Sequence, residues 1–388
     1  MFLAEFDDHR HVVTTSSAEV SYVEIGAGPP ALFVHGIATN AYIWRELITR
    51  LADVRRCVAV DLPLHGQSPA GPEQELTIGA FADVLAEACQ RLGLMDVDLV
   101  AHDTGGAIAQ VLAARHPELL RTLTLTNCET QDNIPPAAMA ATASLARDGK
   151  LAPSAPGILA DPASARSFFA VGYQDPEFLA PELVSAFLEP VVGTPAAAER
   201  FQELIAGLGP ADLLTAEPGL RELHTPTLIV WGTDDAFFDL KWAYWLLGTI
   251  PSAREVTEIA GGKLFFPHER SGELAPHIRR HWTTAGRALE SDPDAKRSDL
   301  IDGLCDLLDE YDAGEADFSA LVHDTDSVIV ELAPLSDATW IANLRGQWKV
   351  LAGVLHELKP TAAGPRSSSQ LDRVAAAARG LRRFLAEA

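Results

Sequence analysis

The sequence is poor in sulfur and in positive charge. Its four cysteines, Cys57, Cys89, Cys128 and Cys305, lie far apart in 388 residues, with no CxxC pair and no His/Cys metal spacing, so neither a disulfide framework nor a structural metal is expected. Lys and Arg total 30 against 54 Asp and Glu. The resulting formal net charge of −24 excludes the electrostatic footprint of a nucleic-acid or anionic-membrane binder. No run of about 18 uninterrupted apolar residues occurs, so nothing spans a bilayer. The opening MFLAEFDDHRHVV carries acids and lacks the apolar core of a secretory signal. These absences lead us to expect a cytoplasmic protein with reduced thiols, acting on a small molecule without a cofactor.

What remains is an ordinary globular composition, 47% hydrophobic and 22% charged, in a chain long enough for one large domain and a smaller one. The first part alternates strand and helix signals. Val12 to Ile25 predicts an opening hairpin closed by Gly26-Ala27-Gly28-Pro29-Pro30. Ala31 to Val34, Cys57 to Val60, Val97 to Val100, Leu123 to Thr126, Thr227 to Trp231 and Arg254 to Ile259 read as strands, most of them short apolar runs of the kind buried on both faces of a sheet. Helical spacing appears at Ile78 to Leu92, Ala107 to Ala114 and Leu240 to Leu247. Repeated alternation of this kind requires a doubly wound, mostly parallel sheet.

One stretch carries the chemistry. In Leu99-Val100-Ala101-His102-Asp103-Thr104-Gly105-Gly106-Ala107 a buried strand runs into a tight turn and then a helix. Small residues at Ala101 and Gly105 let the backbone fold back, which pushes Asp103 out at the carboxyl edge of the sheet above a helix N-terminus. An ordinary N-cap aspartate has the same local signature. The surrounding motifs weigh against that reading: His35-Gly36-Ile37 after a buried strand, Asp61-Leu62-Pro63-Leu64-His65-Gly66-Gln67-Ser68 after the next, and Gly232-Thr233-Asp234-Asp235 after a later one.

Together these motifs resemble those of the α/β-hydrolase family, with Asp at the nucleophile elbow where the esterases carry Ser and Ala101 where they usually carry Gly. The His-Asp pair is similar to that of epoxide hydrolases and haloalkane dehalogenases. The resemblance covers roughly residues 12 to 282. It implies Asp103 as nucleophile, the backbone N–H groups of Ile37 and Thr104 as oxyanion hole, and Asp235 as supporting acid, with Asp234 beside it as second choice. Glu129, at the end of the earlier strand, is a reserve acid of the kind some dehalogenases use. The resemblance also makes the Pro-, Ala- and Leu-rich insertion at about 133–222 a helical cap over the site.

The sequence departs from the family where its general base belongs. The family pattern is Gly-x-Gly-His-Phe; here Gly261-Gly262-Lys263-Leu264-Phe265-Phe266-Pro267-His268 places Leu264 at the His position. A carboxylate nucleophile can still open an epoxide or expel halide to form an ester. Hydrolysis of that ester then lacks the base that contributes roughly 10²–10⁴-fold. Three escapes stay open: His268 folds back into the site, Asp235 or Glu129 activates the water, or Asp103 acts as acid and base on a substrate that is not hydrolysed. Halide release is disfavoured separately, because Ile37 and Thr104 offer no side-chain N–H. Epoxide hydrolases use cap tyrosines to protonate the ring oxygen; the insertion has one, Tyr173, with Tyr42 as substitute.

The expected substrate contacts are His35, His102, Tyr173 and Leu264, and the expected catalytic set is Asp103, Asp235 and His268, with no metal. Epoxide hydrolysis leads. A non-hydrolytic lyase or cyclase and a non-catalytic binding protein are the alternatives. The expected domains are a hydrolase-like 1–285 and a helical 298–388. Glu290 to Arg297 reads as a linker, and the amphipathic stretches Leu300 to Tyr311, Asp337 to Leu358 and Leu371 to Leu385 read as helices with one apolar face each. That appendix suits packing, a homodimer contact or a protein partner.

Overall fold

The apolar runs of the sequence form the middle of a sheet because both of its faces are covered. The computed structural model describes residues 2–71, 73–290, 293–313, 318–357 and 368–386. In chain order, β1 (Arg10–Thr14), β2 (Glu19–Ile25), β3 (Pro30–Val34), β4 (Arg56–Val60), β5 (Val97–His102), β6 (Leu120–Thr126), β7 (Thr227–Gly232) and β8 (Ala253–Ile259) make one sheet. Its order is β1-β2-β4-β3-β5-β6-β7-β8. The opening hairpin adds antiparallel strands at one edge, and every pairing from β4 to β8 is parallel. All six residues of β5 are buried. Strand order reverses beside β3 and β5, and the crevice outside the carboxyl ends of such neighbours is where open α/β sheets bind ligands.

The helices that cover the sheet follow from local chemistry. Thr77 caps Ile78–Arg91, its Oγ1 accepting the Ala80 N–H at 3.1 Å, and Phe81, Val84 and Leu85 form the buried face. The Thr104–Arg115 helix is buried from Thr104 to Ala113, because small residues let it approach the strands. A Cβ at Gly105 would lie 2.3 Å from the His35 carbonyl oxygen and 2.4 Å from that of Val34.

Between β6 and β7 the chain is helical: Ala140–Arg147, Leu151–Ala160, Pro162–Ala170, Pro181–Val192 and Pro195–Gly207 pack on one another around buried Phe169, Phe187, Leu188, Phe201 and Leu204. The last helix of the insertion, Ala211–Arg221, lies instead on Thr104–Arg115. There a Cβ at Gly219 would sit 2.9 Å from Ala114 Cβ, so this helix belongs to the sheet's outer layer.

The chain divides into two compact units, Met1–Ala285 and Gly286–Ala388. In the second, Pro293–Ala313, Phe318–Leu332, Ala338–Glu357 and Ser368–Ala386 enclose a separate core that includes Leu304, Leu308, Leu344, Leu351 and Leu381. Trp348 Nε1–H donates to the Val322 carbonyl at 3.0 Å, and Arg297 stacks 4.8 Å over Trp340. Two expectations are corrected here. Glu290 to Arg297 is not an extended linker, because Ser271–Glu290 ends and Pro293–Ala313 begins within it, Pro293 being well suited to a first helical position. The Phe318–Leu332 helix escaped sequence reading, because Val328, Ile329 and Val330 in a row resemble a strand. Leu358 lies outside the described residues. Among the described residues no helix is long and apolar enough to cross a membrane.

Gly105→Ala would force its Cβ onto two backbone carbonyls rather than onto a flexible side chain. The expected loss is about 3 kcal/mol of stability, measured by urea unfolding of the variant against the parent.

Candidate active site

Strand β5 ends in a turn that no helix cap requires. Asp103 takes φ 54° and ψ −136°, a conformation that costs a non-glycine residue of order 1–3 kcal/mol and that persists where the surroundings enforce it. The enforcement is visible: the Asp103 N–H donates to the Asn127 carbonyl at 2.9 Å, and its own carbonyl accepts from the Gly106 N–H at 2.8 Å. No side-chain cap is made to the Thr104–Arg115 helix. The carboxylate is turned instead toward the loop after β3, against Gly36, where a Cβ would fall 2.0 Å from Oδ2. Glycine is therefore required at position 36. The backbone N–H groups of Ile37 and Thr104 favour the charged form of this carboxylate. Register explains the convergence, since Val34 and Ala101 are partners in adjacent parallel strands and both loops leave at the same edge.

Glu129 and Asp235 share this edge, following β6 and β7. The Thr104 hydroxyl donates to Glu129 Oε1 at 2.8 Å, while Glu129 Oε2 is buried with no partner. Asp235 is held at both oxygens: Asn127 Nδ2 donates to Oδ2 at 2.6 Å and the Phe237 N–H to Oδ1 at 2.7 Å. Burial pushes the pKa of Asp103 well up, and the charges of Glu129 and Asp235 push it further. The amides of Ile37 and Thr104 pull the other way. Burial likewise raises Glu129 to about 7 and Asp235 to about 6. Three carboxylates in such a site cannot all be ionised.

The histidines take other places. His35 Nε2 accepts the Leu62 N–H at 2.9 Å, so Nδ1 carries the proton and donates to the Gly36 carbonyl at 2.7 Å. With both nitrogens occupied by backbone, His35 holds the Gly36 turn. His102 Nδ1 lies 3.2 Å from the Thr126 carbonyl and 3.1 Å from its hydroxyl. The His102 ring stands edge-on to Trp44 and to Phe265, which leaves it walled by aromatics. Burial lowers its pKa to about 3.

His268 does not join the carboxylates. Its Nδ1 pairs with the Tyr173 hydroxyl at 3.0 Å, its ring abuts Phe178, and the charge acting on it is that of Arg45. Tyr173, expected as an oxygen donor, is engaged by that bond, and Tyr42 donates to Asp7 at 2.6 Å. Leu264 is buried, but the ring presented beside His102 belongs to Phe265, centroids 6.0 Å apart. Two backbone contacts of the cap with this segment, Phe265 N–H to Gly172 O at 2.8 Å and Gln174 N–H to Glu269 Oε2 at 2.9 Å, hold it in place.

Sequence reading missed Asn127. Its Oδ1 accepts the Gly232 N–H at 2.7 Å while its Nδ2 holds Asp235, so one side chain ties the end of β6 to the turn after β7. A lone amide directly after a Thr/Leu strand was the available signal. Among the described residues no group of His, Cys, Asp and Glu is placed to hold a metal ion. A groove of about 670 Å³ opens in the cap, lined by residues that include Pro156, Val192 and Ala198 but not Asp103.

With the geometry in view, comparison with known proteins is direct. A family model described as the alpha/beta hydrolase fold matches residues 29–269, more than half of the chain. A haloalkane dehalogenase of Mesorhizobium japonicum is 40% identical over 110 residues, which are 28% of this chain and 35% of that protein. A bifunctional epoxide hydrolase of Sus scrofa is 30% identical over 121 residues, 31% of this chain and 22% of that protein. The matches thus span about a third or less of these curated relatives. Among solved structures, a haloalkane dehalogenase of Bradyrhizobium elkani superposes with a TM-score of 0.60 at 25% identity, covering 71% of this chain and 99% of that one. An epoxide hydrolase without ligand has a TM-score of 0.59 at 19% identity, over 71% of this chain and 98% of that one, and shows the fold alone.

The raised carboxylate pKa values set a pH dependence. Glu129 rises from 4.5 to about 7, so its burial costs nothing below the unfolded pKa and progressively more as pH climbs to about 7. Relative to the parent, Glu129→Gln is expected to gain up to about 3 kcal/mol between pH 4.5 and 7.5, read as the difference of two urea-unfolding series. A constant difference across that range would contradict the protonation assigned to Glu129.

Proposed function

This chain belongs to the alpha/beta hydrolase fold family, and on that premise we propose that Asp103 is the nucleophile of a two-step hydrolysis of a small, mostly apolar substrate, with epoxides as the leading class. The supporting observation is the carboxylate turned toward Gly36 at the elbow, where the Ile37 and Thr104 N–H groups favour its charged form. In the first step an Asp103 oxygen attacks an sp3 carbon, the ring C–O bond breaks, and the freed oxygen takes a proton. The product is a hydroxyalkyl ester of Asp103. In the second step water adds to the ester carbonyl, and the same two N–H groups hold the oxyanion that develops there. Collapse releases the diol and restores Asp103.

The likeness to proteins named haloalkane dehalogenase supports the same nucleophile with a different leaving group. Against halide stand the side chains at Ile37 and Thr104, neither of which carries an N–H. A second reading keeps the pocket without hydrolysis, Asp103 only moving protons on a substrate that is rearranged. It is supported by the apolar ring of Phe265 beside His102.

A single turnover in heavy-oxygen water separates these readings. The ester route puts one heavy oxygen into the peptide bearing Asp103 and none into the first diol released. Direct attack by water labels the diol and leaves Asp103 unlabelled, and a rearrangement labels neither. Asp103→Asn, folded as judged by circular dichroism, is expected to lower kcat/KM by roughly 10⁴- to 10⁶-fold.

A further inference from the structure

The hydrolysis proposed above needs a proton donor when the ring opens and a proton acceptor when water attacks. Groups that usually supply these are committed elsewhere. His268 is bonded to Tyr173 and faces Arg45. His102 is anchored on Thr126 between two aromatic rings. Both oxygens of Asp235 are occupied, by Asn127 and by the Phe237 N–H.

His102 and His268 each keep a buried Nε2 without a partner, but burial lowers both rings to a pKa of about 3, too weak to hold a proton taken from water. Glu129 is joined to the turn of Asp103 through Thr104. Its residue is 2% exposed, and its carboxyl is fixed through one oxygen only, Oε1 on the Thr104 hydroxyl at 2.8 Å. Its backbone is fixed as well: Gln110 Nε2 donates to the Glu129 carbonyl at 2.8 Å and to that of Gly106 at 3.0 Å. The second carboxyl oxygen, Oε2, is buried without a partner. A buried polar atom left open costs about 1–3 kcal/mol, which marks it as an atom with work to do. Thr104 directly follows Asp103 in the chain, so its hydroxyl holds Glu129 against the turn that carries the nucleophile.

Resting on the reading of Asp103 as an ester-forming nucleophile, we propose that Glu129 is the proton carrier of both steps, through Oε2. The proton the pocket retains must sit on Glu129 for Asp103 to attack; from there it passes to the oxygen released as Asp103 bonds to carbon, leaving the ester and a Glu129 carboxylate. That carboxylate then takes one proton from the attacking water, whose oxygen bonds to the ester carbonyl carbon. The tetrahedral intermediate expels the diol oxygen, which takes the remaining proton of the added hydroxyl. Asp103 returns as carboxylate and Glu129 as acid, and the sum is epoxide plus water to diol. The charge of the pocket stays at one unit less negative than three ionised carboxylates throughout, as its dryness demands. The groups facing Glu129 that titrate are Asp103, Asp235 and the Cys128 thiol, which burial and Glu129 hold in its neutral form.

The test uses the full chain with styrene oxide as probe, alongside terminal and internal aliphatic epoxides. Glu129→Gln keeps an acceptor for the Thr104 hydroxyl but cannot take the proton of water. Steady turnover is expected to fall by roughly 10²- to 10⁴-fold, and intact-protein mass to rise by one epoxide, mapped to Asp103. Glu129→Asp should restore part of the rate and lose the adduct. In the wild type, ester formation in single turnover should slow above about pH 7, the limb being absent in Glu129→Gln. A Glu129→Gln protein that turns over at the wild-type rate with no adduct overturns the role of Glu129 while leaving that of Asp103 intact. If that variant does not fold, Glu129→Ala carries the test, and an unchanged rate there rejects the proposal. A wild type that opens no epoxide of the panel overturns the proposal together with the reading beneath it.

Discussion

Asp103 and Glu129 are buried and Asp235 is part-buried at one edge of the sheet, and the burial of these acids organises the site. A carboxylate out of water must be solvated by something. Here the solvent is the protein's own donors: the amides of Ile37 and Thr104, the Thr104 hydroxyl, the Asn127 side chain and the Phe237 N–H. These donors come from four loops, at the carboxyl ends of β3, β5, β6 and β7. The strained backbone of Asp103 and the absence of side chains at Gly36 and Gly105 are the geometric conditions for bringing them together. What the donors leave uncompensated is met by retained protons.

The imidazoles obey the same rule from the other side. Burial drives His35 to a pKa of about 4 and His102 and His268 to about 3, so these rings stay neutral at ordinary pH and serve as hydrogen-bonding spacers. His35 shapes the turn that offers the Ile37 amide, and His268 fastens Tyr173 of the cap to the segment after β8. Phe265, with its ring 4.8 Å from that of Tyr173 and edge-on to His102, packs the segment after β8 against the end of β5.

Much of this was legible from residues alone, and the parts differ for a physical reason. The buried strands could be read because apolar runs next to turn residues carry their own signal, and the elbow because small residues on both sides of Asp103 are a local requirement. The extra helix at Phe318–Leu332 was not, since its β-branched residues favour a strand until neighbouring helices bury Leu321 and Ile329. Nor was the ring beside His102, because neighbouring residues differ only in the direction their side chains take, and the choice between Leu264 and Phe265 is made by the cap loop that anchors Phe265 through Gly172.

The sequence by itself determined the sheet and the turn that carries Asp103, because each depends on residues close together in the chain. Tertiary structure alone decided that Glu129 reaches Thr104, that Asn127 holds Asp235, and that His268 turns to Tyr173 and not to the acids. Those pairings join strands and loops far apart in sequence, and their protonation follows from burial, which no single segment possesses until the others have packed around it.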